Sequence, residues 1–472
     1  MRRFLTRYTI RYPRSLIYML QACEYDTRAF FRWYARVGNF RAVERRKTID
    51  WTQKARALRW IAWGFYAIMA AFAILGTLEH SSISHLLALV FVLIAPFALP
   101  YILAIAVRLG RLVQRPLERR AIDAARRKLR SHPGLRIAVA GSYGKTTTRE
   151  ILRAVLGAGK SVAAPPESFN TPLGIAQFIE TLTGDEEVIV FELGEYRPGD
   201  IMQLCEFVRP QVGVITGVNE AHLETFGSIE RTAATIFELA AYLGSHPLYV
   251  NAENPIAKAH APAHAILYSR GGVGDWSIDG ARSDLSGTRF TLHGAGISIA
   301  GESKLLGLHA VGPIAAAAHL AWGLGLTVAQ IEQGIAATHP FAHRLFLSDQ
   351  GGVAMLDDSY NGNPDGVRAV IDFLGSLKGR RWYVTPGLVE TGDRTEAIHR
   401  EIGRLLAAAK IDHIVLMRNS VTGFIEAGLR AADFKGEIRY FDDGPEAYAA
   451  LPYLTAAGDI ILLQNDWPDQ YA

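Results

Sequence analysis

Cysteine is scarce in this sequence, and no segment is repeated or of low complexity. Only Cys23 and Cys205 occur among 472 residues, too few for the disulfide framework of a small secreted protein. A disulfide-stabilised secreted fold is therefore excluded, and a reducing compartment is indicated. The chain is also too apolar for a disordered protein, since 49% of its residues are hydrophobic. Its length suffices for about three domains.

Charge is absent from two long stretches near the N-terminus. Residues 60–78 and 86–107 are runs of 19 and 22 residues without Asp, Glu, Lys or Arg. A helix needs about 20 apolar residues to cross the hydrocarbon core of a bilayer. We therefore predict a transmembrane helical hairpin with spans at about 60–78 and 86–107. The alternative is a pair of buried core helices, which seldom run this long without a charge.

Positive charge, by contrast, is concentrated in the first 130 residues. They contain 24 Lys and Arg against 7 Asp and Glu, and the remainder of the chain contains 26 against 39. The connector at 79–85 has no Lys or Arg, whereas both flanks of the predicted hairpin are rich in them. The positive-inside rule then places both ends in the cytoplasm. We expect a multi-pass protein of the inner (cytoplasmic) membrane.

Residues 1–59 interleave arginines with the aromatic side chains of Phe30, Phe31, Trp33 and Tyr34. Such a segment suits contact with nucleic acid or an interfacial position on anionic lipid. The neighbouring apolar stretches favour the lipid interpretation. We therefore expect membrane lipid, and no nucleic acid, as a partner.

A glycine-rich loop follows the first strand-like run of the body, at 135–140, and precedes a helical stretch at 149–156. In such a loop, glycines let backbone N–H groups close on phosphates. Lys145 would neutralise β- and γ-phosphate oxygens, and Thr146 would bind Mg²⁺. The spacing matches the second half of the generic P-loop pattern. The predicted triphosphate-binding residues of this loop are Gly141, Ser142, Tyr143, Gly144, Lys145, Thr146 and Thr147.

Two further strand-like runs deliver polar residues to the same region. The run at 187–191 ends in Glu192, and the run at 212–216 leads into a segment that contains His222. A carboxylate at the carboxyl end of a strand suits a metal ion or a metal-bound water. A loop histidine taken alone is typical of a structural role, but its position after a neighbouring strand favours a functional one. Glu192 and His222 are therefore candidate metal ligands.

The last third of the chain repeats the alternation of strands and helices. The strand-like runs include 353–356, 381–385 and 413–417, and a helical stretch lies at 395–410. The fold class is thus α/β, with a transmembrane hairpin, a P-loop ATPase α/β domain and a C-terminal Rossmann-like α/β domain. The predicted boundaries are 1–130 for the membrane anchor, 131–339 for the P-loop domain and 340–472 for the C-terminal domain.

Five ordered strings in the body resemble those of the Mur ligases, the ATP-dependent amide-bond-forming enzymes of peptidoglycan assembly. These strings lie at 141–148, 192–200, 220–228, 357–364 and 392–403. The resemblance implies that a substrate carboxylate takes the γ-phosphoryl group of ATP and that an amine then attacks the acyl phosphate. It implies ATP and Mg²⁺ as cofactors, an amino acid or short peptide as donor, a carboxylate acceptor, and catalytic domains in the cytoplasm.

The resemblance also implies roles for individual residues. Lys145, His222 and Arg344 would be catalytic, with Arg344 near the γ-phosphate. Thr146 and Glu192 would bind the first Mg²⁺, and Glu192 and His222 would bind the second. Further contacts to the nucleotide are implied for Asn170, His309 and Asp358, the last at the ribose.

The sequence departs from the family pattern at three places. The lysine that the family usually has fourteen residues after His222, carbamylated to bridge Mg²⁺, is replaced by Ile236. His309 is kept, but the asparagines that help to bind adenine are not. The N-terminal domain that binds the UDP-sugar substrate is replaced by the hairpin, so we expect an acceptor presented at the membrane and linked to lipid. Candidate substrate contacts in the C-terminal domain are Asn361, Glu390 and Asn419.

Two alternatives to a cell-wall ligase stay open. One is a non-catalytic nucleotide-binding membrane scaffold, which the joint presence of Lys145, Glu192, His222 and Arg344 disfavours. The other is a ligase that builds poly-γ-glutamate. The string at 357–361 favours instead the branch of the family that adds D-alanyl-D-alanine.

Overall fold

The chain folds into two compact units, the first ending at Arg120 and the second beginning at Ala121. The computed structural model describes residues 8–9, 11–37, 40, 43, 48–78, 81–166, 169–219, 226–360, 362–389 and 391–465. Ala125 and Leu129 are buried in a core of the second unit. The last residues of the predicted anchor, which was expected to end at 130, thus belong with the body.

The first unit is helical. Its helices are α1 Tyr12–Ala22, α2 Thr27–Arg36, α3 Gln53–Leu78 and the part of α4 Ser82–Ser131 that precedes Ala121. Both α3 and α4 are long and apolar enough to cross a membrane, by length and composition. Most apolar side chains of these helices are exposed, including Trp60, Leu78 and Ile83. The predicted apolar spans lie inside these two helices.

The aromatic side chains before residue 59 form part of a protein core. Phe30 and Trp33 are buried in one cluster with Leu58, Leu99 and other side chains of α3 and α4. The rings of Phe30 and Trp33 are therefore not exposed for contact with lipid, whereas the interfacial position of the segment stays a prediction. The physical reason is that α1 and α2 are amphipathic and bury their apolar faces against the long helices of the same unit.

A hydrogen bond explains how α4 continues through a proline. Pro100 has no N–H to donate to the carbonyl of Pro96 one turn earlier. The hydroxyl of Tyr12 donates to that carbonyl oxygen at 3.0 Å. The packing of α1 thus satisfies a backbone acceptor that the proline leaves without its helical partner.

The second unit begins with a ten-stranded sheet in the order β10-β9-β8-β7-β6-β5-β4-β1-β3-β2. Strands β1 to β6 pair in parallel, whereas β7 to β10 form antiparallel pairs that the sequence had not predicted. Apolar clusters cover the parallel part on two sides. The strands are β1 Leu135–Ala140, β2 Val162–Ala163, β3 Val188–Glu192, β4 Val212–Ile215, β5 Leu248–Asn251, β6 Ile266–Ser269, β7 Gly272–Val273, β8 Trp276–Asp284, β9 Gly287–Gly294 and β10 Ile297–Ser303.

Helices connect these strands and cover the sheet. They are α5 Lys145–Gly157, α6 Pro172–Thr181, α7 Asp200–Val208, α8 Ile229–Ile236, α9 Glu238–Leu243, α10 Pro255–His260, α11 Val311–Gly323 and α12 Val328–Ala336. Strand β1 lies between β3 and β4, with Val139 opposite Glu192 and Ala140 opposite Ile215. The loops that follow these three parallel strands therefore meet at one edge of the sheet, where α/β proteins bind ligands.

A six-stranded sheet in the order β11-β12-β16-β13-β14-β15 forms the C-terminal part of the second unit. Its strands are β11 Phe346–Gln350, β12 Val353–Asp358, β13 Arg381–Thr385, β14 His413–Met417, β15 Glu437–Phe441 and β16 Ile460–Gln464. Its helices are α13 Pro364–Ser376, α14 Thr395–Ala408, α15 Thr422–Ala431 and α16 Gly444–Leu454. All pairs are parallel except β11 with β12. The predicted α/β class is confirmed.

Two glycines let α14 and α15 pack backbone against backbone. A methyl group added to Gly428 would overlap the carbonyl oxygen of Arg400, and one added to Gly403 would overlap that of Ile425.

We expect Gly428→Ala to destabilise this helix pair by about 1–3 kcal/mol, because overpacking forces backbone shifts. Hydrogen exchange of α14 and α15, read by mass spectrometry in the full chain, measures the effect. Gly423→Ala in the same helix is the control, because nothing lies within 4 Å of an added methyl there. Equal protection in the two variants would contradict the close helix contact.

Candidate active site

The glycine loop lies between β1 and α5, as its sequence predicts. Gly141 and Gly144 adopt φ values of 142° and 71°, which favour glycine. A side chain at Gly141 would also collide with the hydroxyl of Thr216. The N–H of Ser142 donates to the carbonyl of Gly217 at 2.8 Å. These constraints hold the loop against the end of β4 and leave the N-terminus of α5 facing the sheet edge, a position suited to phosphate.

Lys145 is paired with a carboxylate that the sequence had not singled out. Its Nζ lies 3.1 and 3.0 Å from the two carboxylate oxygens of Glu195 and also donates to the carbonyl of Gly141. The Glu195 side chain is buried. Glu195 therefore balances the lysine charge at the place where triphosphate oxygens are expected. The only sequence signal for it was its position in the string at 192–200.

Glu192 takes part in a second buried ion pair. One of its carboxylate oxygens lies 3.3 Å from Nη1 of Arg149, and the other accepts a hydrogen bond from Nδ2 of Asn170 at 3.1 Å. Arg149 also contacts Glu150 at 2.9 Å. Arg149 lies four residues after Lys145, so both side chains lie on one face of α5. This spacing is the signal that could have found Arg149 in the sequence.

The described residues fit a magnesium ion that takes most of its ligands from phosphate and water. No group of three or more His, Cys, Asp or Glu side chains with metal-binding geometry occurs in the described part of the chain. Mg²⁺ is commonly held by one or two protein oxygens together with substrate phosphates. Thr146 and Glu192 provide such oxygens. His222, the third predicted ligand, lies outside the described residues.

The position of the family's bridging lysine is part of the apolar core. Ile236 is fully buried in the cluster that covers one side of the central sheet. This burial leaves no room there for a charged metal ligand and accords with the departure seen in the sequence.

Arg344 and Asp358 come from the C-terminal part of the unit. The guanidinium of Arg344 lies 4.7 Å from the centre of the Tyr360 ring, and its Nη1 donates to the carbonyl of Tyr360 at 3.2 Å. Burial raises the pKa of the Asp358 carboxyl to about 6, and the Arg344 guanidinium opposes this rise. Burial lowers the pKa of Arg344, and Asp358 opposes that change. The two groups thus stabilise each other's charged forms.

A cavity of about 450 Å³ is lined by residues of α5 and by residues of the C-terminal part of the unit. It is lined by Thr146, Thr147, Arg149, Glu150, Ile151, Arg153, Ala154, Leu305, Ala337, Thr338, His339, Phe341, Ala342, His343, Arg344 and Tyr360. Elsewhere in the second unit, Nδ2 of Asn219 donates to Oδ1 of Asn363 at 2.9 Å and to a carboxylate oxygen of Asp365 at 3.1 Å. These bonds connect the edge of the central sheet to the start of α13.

The remaining predicted residues occupy other places. His309 lies in a short 3₁₀ turn, Leu308–Ala310, and is not among the residues that line the cavity. Asn419 caps its own turn and donates to the carbonyl of Pro386 at 2.7 Å, a structural role. Asn361 and Glu390 lie outside the described residues.

Comparison with known proteins identifies the class to which this fold and loop belong. The model of the Mur ligase middle domain matches residues 139–321, and that of the Mur ligase glutamate ligase domain matches residues 343–464. The chain belongs to the Mur ligase family and is an ATP-dependent ligase, as the resemblance of its sequence implied.

Individual relatives lie in one branch of that family. The UDP-N-acetylmuramoyl-tripeptide–D-alanyl-D-alanine ligase of Mycobacterium tuberculosis is 31% identical over 354 residues, which cover 70% of this chain and 69% of the relative. The Bacillus subtilis ligase of the same name is 27% identical over 344 residues, covering 70% and 72%. The MurF ligase of Thermotoga maritima in complex with ADP is 26% identical, with a TM-score of 0.65 over 74% of this chain and 80% of that structure.

The pairing of Lys145 with Glu195 predicts that the carboxylate competes with nucleotide phosphates. We expect Glu195→Gln to bind a fluorescent ADP analogue at least about tenfold more tightly, since a hydrogen bond to a charged group is worth about 1.5–3 kcal/mol and each 1.4 kcal/mol is about a factor of ten. Fluorescence titration measures the affinity. Glu187→Gln, which removes an exposed partner of Lys160, should leave it unchanged. Weaker binding by Glu195→Gln would show that this carboxylate assists the nucleotide.

The raised pKa of Asp358 predicts a pH-dependent effect on stability. The folded chain holds this proton up to a pKa of about 6, above the ordinary value of 3.8, so the carboxyl costs stability as pH rises through this range. Relative to the parent, Asp358→Asn should therefore gain unfolding temperature between pH 4 and pH 7, as measured by tryptophan fluorescence.

A second carboxyl gives the matched control for this pH series. Hydrogen bonds from Ser286 lower the pKa of Asp284 below its ordinary value of 3.8, so this carboxyl stays ionised in the folded and unfolded chains above that pH. Asp284→Asn should therefore differ from the parent by a constant amount between pH 4 and pH 7. Parallel profiles for the two variants would refute the assignment of the raised pKa to Asp358.

Proposed function

We propose that this ligase joins the amine of D-alanyl-D-alanine, or a similar short peptide, to the peptide carboxylate of a muramoyl-peptide precursor held at the cytoplasmic face of the inner membrane. The main observation in support of this proposal is that Thr146 of the glycine loop and Arg344 of the C-terminal part line one cavity. The names of the relatives support the donor and the muramoyl-tripeptide acceptor.

Positive charge around the transferred phosphoryl group is the main demand of this chemistry. The acceptor carboxylate attacks the γ-phosphorus, the bond to ADP breaks, and an acyl phosphate forms. Both reactants are anions that repel each other, so fixed cations must hold them in line. Lys145 would leave Glu195 for the β- and γ-oxygens, and Arg344 would approach the γ-phosphate from the C-terminal part.

The amine then attacks the acyl carbon, and inorganic phosphate leaves. Thr146 and Glu192 would hold Mg²⁺, which when bound neutralises phosphate charge. Asn170 orients Glu192 through its hydrogen bond, and Asp358 would accept a hydrogen bond from the ribose. The Lys145–Glu195 and Arg149–Glu192 pairs keep the charges of the loop balanced before the nucleotide binds.

The first unit supports the membrane part of the proposal. The side chains of Trp60, Leu78 and Ile83 are 76%, 68% and 70% exposed. Exposing apolar surface to water costs a free energy of about 25 cal/mol per Å². A bilayer would cover these side chains, and the basic flanks would keep the ligase body in the cytoplasm. Anchoring would raise the effective concentration of an acceptor that is itself linked to lipid.

The test uses the full chain in proteoliposomes with ATP, Mg²⁺ and D-alanyl-D-alanine. The two acceptors compared are UDP-N-acetylmuramoyl-tripeptide and its polyprenyl-linked counterpart. We expect dipeptide-dependent ADP formation, a new amide in the mass spectrum, and a kcat/KM about tenfold or more higher for the lipid-linked acceptor. Lys145→Ala should lower kcat by about 10²–10³-fold. Lys160→Ala, which removes an exposed lysine, should not.

Each other outcome rejects a stated part of the proposal. Equal activity on the soluble acceptor after removal of residues 1–120, which lie in the first unit, with no use of the lipid-linked acceptor, would reject the membrane acceptor. Nucleotide binding without any amine-dependent formation of ADP would favour the non-catalytic nucleotide-binding scaffold. A polymer of γ-linked glutamate would favour the poly-γ-glutamate ligase.

A further inference from the structure

A second cavity, of about 230 Å³, lies within the first unit and takes no part in the ligase chemistry. Its lining consists entirely of charged and amide side chains. They are Glu24, Lys54, Arg111, Gln114, Arg115 and Glu118. Three cations thus face two carboxylates, and an added anion would balance the excess positive charge.

One arginine of this cavity, Arg111, is held by a backbone carbonyl, and a neighbouring arginine outside the cavity lining, Arg108, contacts the same region. Arg108, Arg111 and Arg115 follow each other at spacings of three and four residues, so they share one face of α4. Nη2 of Arg111 donates to the carbonyl of Tyr25 at 2.9 Å, and Nη2 of Arg108 approaches the hydroxyl of Thr27 at 3.4 Å. This face is therefore turned towards the connection between α1 and α2.

The other polar groups are arranged around these arginines. Nζ of Lys54 lies 3.9 Å from the centre of the Tyr25 ring, which places its charge beside the same connection. Nε2 of Gln114 donates to the Glu118 carboxylate at 2.6 Å. The forked guanidinium groups of Arg111 and Arg115 suit the oxygens of a phosphate, which they can bind with two parallel hydrogen bonds.

The cavity lies just beyond the ends of the charge-free stretches. Lys54 precedes residue 60, and Arg111 follows Val107 by four residues, a rise of about 6 Å along a helix. If residues 60–78 and 86–107 span the hydrocarbon, these side chains reach the headgroup layer, which is roughly 5–8 Å thick on each side. Phosphate groups of lipids occupy this layer.

We propose that this cavity binds the phosphate group of an anionic membrane lipid through Lys54, Arg111 and Arg115. The proposal rests on the membrane insertion put forward under the proposed function. The same chemistry would accept a free phosphate, and the experiment separates the two sources.

The experiment uses the full chain purified in a neutral detergent. Thermal stability and native mass spectrometry are measured with dihexanoyl phosphatidylglycerol, dihexanoyl phosphatidylcholine and inorganic phosphate. We expect phosphatidylglycerol to bind and to raise the unfolding temperature of the first unit more than either other probe does. Arg111→Gln/Arg115→Gln should lower its affinity about tenfold or more, because the variant removes two of the three cations that line the cavity.

The matched control is Arg119→Gln/Arg120→Gln. It removes the same charge from the same helix but from side chains that do not line the cavity, and we expect a change within about twofold. Equal losses in the two double variants would overturn the proposal in favour of general surface charge. Unchanged affinity in Arg111→Gln/Arg115→Gln would also overturn it.

Further measurements separate a loss of lipid binding from misfolding, from phosphate binding and from a failure of membrane insertion. Arg115→Lys should retain most of the affinity, and all variants should keep the nucleotide affinity of the second unit, which shows that a loss does not come from a misfolded chain. Binding of inorganic phosphate as tight as that of phosphatidylglycerol would overturn the lipid as the source. Flotation of the chain with neutral phosphatidylcholine vesicles tests membrane insertion alone. Failure to float would reject the membrane anchor. If the chain floats but Arg111→Gln/Arg115→Gln does not change the affinity for phosphatidylglycerol, only the lipid site in the cavity is rejected.

Discussion

The ligase site depends on the compensation of buried charge around the glycine loop. Lys145 and Arg149 project from one face of α5, and each meets a buried carboxylate, Glu195 and Glu192 respectively. Unpaired charges in such a place would cost several kcal/mol each. The two ion pairs therefore keep the site folded and neutral before substrates arrive, and a triphosphate can replace carboxylate oxygens around Lys145 with its own.

The same principle of satisfied polar groups governs the first unit. There the carbonyl of Pro96 receives the hydroxyl of Tyr12, and arginines beyond the apolar stretch contact the connection between α1 and α2. A compact helical core that contains Phe30 and Trp33 surrounds these contacts. The unit is thus a structured helical assembly with its own core.

Two departures from the family pattern fall at described places. Ile236 belongs to the apolar cover of the sheet, and His309, in the segment that lacks the family's asparagines, is not among the residues that line the cavity. Among the residues that the resemblance assigns to the phosphates, Lys145 and Thr146 lie at the start of α5, and Arg344 lines the cavity together with Thr146. The sequence differs from the family pattern at positions that the resemblance assigns to adenine and to the second metal site.

Local sequence was enough to predict the glycine loop, the parallel strands β1, β3 and β4, the C-terminal α/β alternation and the two long apolar helices, because each depends on periodicity or on turn residues within a few positions. It did not predict the partners Glu195 and Arg149, the antiparallel strands β7 to β10, or the burial of Phe30 and Trp33. These features depend on which distant segments pack together, and only the tertiary structure decides that.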